Sequence, residues 1–109
     1  MTPPYRLHFR QQALDDIDQI VTEIARDTPQ NAERFRDRLL ESFEQVSAFP
    51  YAYRPLFPED PQARDLRRGL IRNQPNHLFF FRITGQNITI LRVLDGRRNN
   101  LKDLLQDTK

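Results

Sequence analysis

Residues 5–48, YRLHFRQQALDDIDQIVTEIARDTPQNAERFRDRLLESFEQVSA, change their apolar period once and then break it once, and those two events define the fold. Over the first five residues, Tyr5, Leu7 and Phe9 alternate with Arg6 and His8, the period of a half-buried strand. Between residues 12 and 26 the spacing becomes helical: Leu14, Ile17, Val21 and Ile24 share a face, with Ile20 at its edge. Asp15 and Asp16 fall in the first turn, where carboxylates suit the partial positive charge of a helix start. Thr28-Pro29 interrupts the pattern. Thr28 suits an N-cap, and Pro29 fits the first position of a new helix. That helix runs to about Ala48, with Ala32, Phe35, Leu39, Phe43 and Val46 on one stripe, and Pro50 stops it. Helices joined by so short a turn lie antiparallel.

Outward from this hairpin the pattern turns irregular, then extended. Pro50, Pro55, Pro58 and Pro61, with Glu59 and Asp60 among them, mark a loop too short to separate two folding units. Three strands are expected beyond it: a short Arg-rich one at Leu66–Ile71, an almost unbroken apolar run at Leu78–Ile83, and NITILRVL at Asn87–Leu94, rich in β-branched residues. Thr84-Gly85-Gln86 supplies the turn between the last two. The polar ending GRRNNLKDLLQDTK carries Leu101, Leu104 and Leu105 at a spacing that allows one helical turn or two. The order is β-α-α-β-β-β, an α+β chain in two layers: an antiparallel helical hairpin packed on a mostly antiparallel sheet. The second face of that sheet is expected to be open, or covered by a partner.

Length and composition narrow the function classes. A chain of 109 residues is read as one domain spanning 1–109, able to bury about two-thirds of its unfolded surface. It has no Cys, which excludes disulfides and thiolate metal sites. The N-terminal MTPPYRLHFR lacks the apolar run of a signal peptide, and no window approaches a membrane span, so a cytoplasmic location is expected. Net charge is +2, unevenly divided: residues 1–60 carry 7 Arg against 11 Asp and Glu, while residues 61–109 carry 10 Lys and Arg against 4. The basic second half points to an anionic partner or a solvated basic face. Fifteen of the 17 basic residues are Arg, whose planar fork pairs with carboxylate and phosphate.

The order of elements comes with particular residues. YRLHFRQQALDDIDQIVTEIARDTPQNAERF, FEQVSAFPYAYRP, HLFFFRI and ILRVLDGRRNNLKDLL follow one another over about residues 5 to 105. In that order and spacing they resemble the ParE-like branch of the RelE/ParE toxin superfamily, the last segment most specifically. The resemblance implies a RelE/ParE-like fold and a type II toxin–antitoxin role, including plasmid stabilisation. It implies a cognate antitoxin bound in a hetero-oligomer, DNA met only indirectly through that antitoxin, and DNA gyrase as target, bound rather than cleaved. RelE-like members of the superfamily are instead similar to ribosome-dependent mRNA endonucleases, and a third possibility is a non-toxic member that only binds protein. Three departures bear on the target surface: Asp95 where such chains often carry His, Phe81 where Tyr is common, and a longer, Pro-rich loop at 54–65.

Arg72, Arg82, Arg92, Arg97 and Arg98 are the candidate target-binding residues. Arg92 has Ile88 and Ile90 on its own side by simple alternation, with Leu91 and Val93 on the other; it serves either recognition or packing. A general acid or base is harder to find. His8 reads as a surface residue, His77 as a polar strand end, and Tyr51 and Tyr53 as packing beneath the loop. Asp95, next to Arg97 and Arg98, is a poor proton acceptor near neutral pH. With three Gly, no phosphate loop and no metal-ligand spacing, no catalytic residue, metal or cofactor is expected.

Overall fold

The computed structural model describes residues 5–96, apart from the Pro75 side chain. Strand β1 (Arg6–Phe9) leads into helices α1 (Gln11–Asp27) and α2 (Pro29–Ala48). A 3-10 turn at Pro50–Ala52 and a loop follow. Strands β2 (Leu66–Ile71), β3 (Gln74–Thr84) and β4 (Asn87–Asp95) complete the order β-α-α-β-β-β. The strands lie side by side as β1-β4-β3-β2, with β1 parallel to β4 and the other pairs antiparallel. Both hairpins close through two residues: Arg72-Asn73 between Ile71 and Gln74, and Gly85-Gln86 between Thr84 and Asn87. Each needs one positive φ, supplied by Asn73 and Gly85 at 59° each. The expected third strand starts earlier than Leu78, because Gln74 already pairs with Ile71 across a register shift.

Thr28 separates the helices through its backbone. Its N–H donates to Ile24 O, and its carbonyl accepts from Asn31 and Ala32. Its hydroxyl makes no cap bond, contrary to expectation, although Pro29 does hold the first helical position. Helix α1 begins at Gln11, so Asp15 and Asp16 sit in the second turn and not the first. Its expected face holds at Val21, which is buried, and at Ile17, Ile20 and Ile24, which pack against the core. Leu14 departs from it, 45% exposed, while Ala13 beside it is fully buried. On α2 the expected stripe is buried throughout: Ala32, Phe35, Leu39, Phe43 and Val46.

The sheet has two apolar faces. Phe79, Phe81, Ile83, Ile88, Ile90 and Val93 meet the helices. On the other face Leu66, Leu78, Phe80, Leu91 and Leu94 form a second buried cluster, against which Leu56 and Phe57 of the loop pack. That face is therefore neither open nor reserved for a partner along its whole length. Five large apolar side chains, each worth about 1.5–3 kcal/mol when buried, favour folding the loop back over them. Backbone bonds hold the loop there: Leu56 N–H donates to Leu66 O at 2.9 Å, and Pro55 bridges to Arg67.

Between Phe80 and Phe81 the register against β4 slips by one residue, so Arg92 faces Phe80 and Ile90 faces Phe81. Leu91 is the extra residue of this bulge. Simple alternation put Leu91 and Val93 on one side of the sheet. The bulge sends Leu91 to the outer cluster and Val93 to the inner one, with Ile88 and Ile90.

Candidate functional site

Arg92 sits where β1 runs out. The last rung between those strands pairs Phe9 with Ile90, followed by Arg10 N–H to Ile90 O at 3.0 Å. Beyond it β4 continues for five residues, and α1 crosses its edge in place of a strand. Asp16 of α1 takes over as hydrogen-bond acceptor. Its carboxylate receives Arg92 Nε at 2.8 Å and a terminal guanidinium nitrogen at 3.0 Å. It also receives the Val93 N–H at 3.0 Å. Both side chains of the ion pair are only 14% exposed. The fork is bidentate and charge-assisted, the stronger class of hydrogen bond.

The other candidate arginines occupy different surfaces. Arg82 lies on the outer sheet face, opposite Leu66 on one side and Thr89 on the other. Its nearest carboxylate, Asp65, is 3.9 Å away, too far for a hydrogen bond and worth little at a half-exposed site. Arg72 sits in the β2–β3 turn against α2. Its N–H donates to Ser42 Oγ at 2.9 Å, and that hydroxyl donates to Arg38 O at 2.7 Å. The Arg72 side chain is 69% exposed, with Nε 3.8 Å from Glu41. Arg97 and Arg98 lie outside the described residues. Arg72, Arg82 and Arg92 therefore do not converge: one flanks α2, one faces outward from the sheet, and one is pinned to α1.

The groups able to move protons are also dispersed. His8 Nε2 donates to Asn87 Oδ1 at 2.8 Å, near the start of β4. His77 pairs in register with Asp95 at the opposite end, its ring 5.1 Å from that of Phe35. A groove of about 300 Å³ runs beside it between α1 and β4, with Asp16, Glu23 and Asp95 on its walls. Tyr53 packs edge-on to Phe79 and Phe81, and burial pushes its phenol pKa up. Tyr51 is 61% exposed and carries the Arg67 guanidinium over its ring at 5.2 Å, while Arg67 also donates to the Tyr53 carbonyl. Among the described residues, no cluster of three or more His, Asp or Glu stands in a metal-binding arrangement.

Two features escaped sequence reasoning. Asp16 looked like an ordinary charge at a helix start, and only the early end of β1 makes it an edge acceptor. The Arg67–Tyr51 stack depends on the loop folding back. A third feature was anticipated only in kind. Large apolar side chains remain exposed on several surfaces: Leu14 and Leu40 on the helices, Phe49 and Tyr51 just beyond α2, Leu70 on the sheet edge.

Comparison with known proteins bears on this arrangement at two levels. Residues 7–100 match a family described as the ParE toxin of type II toxin–antitoxin systems, parDE. Among solved structures, the chain is similar to one described as the chromosomal ParDE TA system from P. aeruginosa. The TM-score is 0.68 at 19% identity, covering 86% of this chain and 98% of that one. At that identity the likeness is one of fold. No curated protein sequence matches.

Proposed function

Since the chain belongs to the ParE toxin family of type II toxin–antitoxin systems, we propose that it arrests growth by binding DNA gyrase and that a cognate antitoxin neutralises it. The family match over residues 7–100 carries this reading. In it the chain acts as one toxin domain in the cytoplasm, and the hetero-oligomer with antitoxin reaches operator DNA through the antitoxin. Among the described residues, no helix is long and apolar enough to cross a membrane.

The exposed apolar side chains support the antitoxin half of the proposal. Leu40, Phe49, Tyr51 and Leu70 are each at least 60% exposed on a small domain, and a partner segment that orders on binding gains by covering them. The dispersal of His8 and His77 supports binding over cleavage. An mRNA endonuclease needs an acid or base within reach of the same phosphate that its cations hold. Here His8 bonds Asn87 at one end of β4, while His77 pairs with Asp95 at the other. Exposed Arg72 and half-exposed Arg82 remain candidates for target contact, as do Arg97 and Arg98.

Growth tests the toxin–antitoxin assignment. Expression of the chain alone halts growth, and co-expression of the small gene beside it restores growth. Normal growth at verified soluble expression contradicts the assignment.

A further inference from the structure

We infer that the uncovered half of the outer sheet face binds the phosphate backbone of duplex DNA. Strand register defines the surface. Arg82 follows Phe80 by two residues and so shares its outer face. Thr89 lies directly opposite Arg82, and His8 opposite Thr89, forming one row across three strands. Thr84, Asn87 and Arg6 form the adjacent row. The bond from His8 to Asn87 ties the two rows together on one face. Arg10, in extended backbone at φ −67° and ψ 149°, continues the alternation of Arg6 and His8.

This half differs from the rest of the sheet. None of the six residues in the two rows is apolar, whereas the neighbouring half carries the cluster around Phe80. Arg6, His8, Arg10, Thr84 and Asn87 are exposed. Among the described residues, the carboxylate recorded against these cations is Asp65, at 3.9 Å from Arg82. Charge is segregated across the molecule: on the opposite layer, α1 and α2 together carry nine carboxylates and only four arginines.

The chemistry selects the ligand. Guanidinium forks, hydroxyls and an amide are the usual partners of phosphate oxygens, and such contacts position a nucleic acid without reading its sequence. Protein interfaces centre on aromatic as well as Arg anchors, and these rows offer Arg with no apolar, Tyr or Trp side chain beside it, which favours phosphate. A single strand needs an exposed ring on which to stack its bases, and the rows offer none beyond the His8 imidazole. A duplex has already stacked its bases and presents phosphate alone. Strand spacing makes the patch roughly 10 Å by 7 Å, room for about three phosphates against Arg6, Arg10 and Arg82. The inference departs from the sequence expectation that DNA is met only through the antitoxin. It is independent of the gyrase proposal, so either can fail alone.

Fluorescence anisotropy of the full chain with a labelled duplex of arbitrary sequence, between 50 and 200 mM salt, tests it. The expected result is sequence-independent binding whose log–log salt slope is about −3, from about −0.9 per phosphate contacted. Arg6→Glu with Arg82→Glu weakens binding at least tenfold at low salt. Arg26→Glu with Arg36→Glu, the same change in net charge on the helical layer, leaves it within about twofold. Arg6→Gln with Arg82→Gln repeats the test without charge reversal, and circular dichroism verifies folding of every variant. Absence of binding, equal weakening by both charge-reversed pairs, or tighter binding to a single strand of equal length overturns the inference.

Discussion

Asp16→Ala removes one acceptor from three donors at once. The carboxylate receives Arg92 Nε, a second guanidinium nitrogen and the Val93 N–H at 2.8–3.0 Å, and both side chains of the pair are 14% exposed. So little exposure limits how well water takes the place of the lost oxygen atoms. Removing one member of a largely buried, bidentate pair costs about 3–5 kcal/mol. At about 4 °C per kcal/mol for a domain near this size, melting falls by roughly 12–20 °C. Asp16→Asn keeps its shape and one acceptor oxygen but loses the charge and turns an NH2 group toward a donor, so it costs at least as much as losing one charge-assisted bond, about 1.5–3 kcal/mol. Asp16→Leu combined with Arg92→Met removes both charges of the pair and takes the acceptor from the Val93 N–H, whose loss costs about 1–3 kcal/mol. The double variant is therefore less damaged than the sum of its single changes. Urea unfolding of the parent chain, Asp16→Ala, Asp16→Asn, the Asp16→Leu and Arg92→Met single changes and their double variant measures all of this. An Asp16→Ala cost within about 0.5 kcal/mol, the range of a plain surface change, refutes the reasoning, as does strict additivity in the double variant.

Three further outcomes are expected. Gly69→Ala drives a Cβ to 2.3 Å from the Phe79 ring, which is fully buried among other rings; overpacking costs about 1–3 kcal/mol in urea unfolding, and a neutral change contradicts the packing. Phe80→Ala costs about 3–5 kcal/mol if the outer cluster is a true core, and under 1 kcal/mol if the loop merely rests on it. Arg97→Ala with Arg98→Ala abolishes growth arrest while stability stays within about 0.5 kcal/mol; retained toxicity removes these residues from the target surface, and a large drop in melting temperature assigns them to anchoring.

Much of this arrangement is legible in the sequence wherever a period runs uninterrupted. The stripe from Ala32 to Val46 is one case, the apolar run Leu78–Ile83 another, and the position of Pro29 a third. What stayed hidden depends on contacts between distant segments. Alternation along Ile88–Val93 carries no mark of an extra residue, so the bulge at Leu91 cannot be read from β4 alone; it exists only relative to Phe80 and Phe81. Leu14 looks like core and Ala13 does not, yet the small side chain is the one that lets α1 approach the sheet. The fold-back of Leu56 and Phe57 lies in a Pro-rich loop with no period to read. Among the candidate arginines, alternation set Arg92 apart as one with apolar neighbours, but its partner on α1 is 76 residues away along the chain. The exposed rows of Arg6, His8 and Arg82 emerge only when β1 is set beside β4, a parallel pairing that no local pattern announces.

The proposed activity is inhibition of gyrase by binding. It is tested most directly with the purified chain, freed of antitoxin and titrated in parallel into a gyrase supercoiling reaction and a ribosomal mRNA cleavage reaction. Supercoiling is expected to fall in proportion to added protein while the message stays intact, and antitoxin is expected to reverse the inhibition. Cleaved message with supercoiling undisturbed contradicts it.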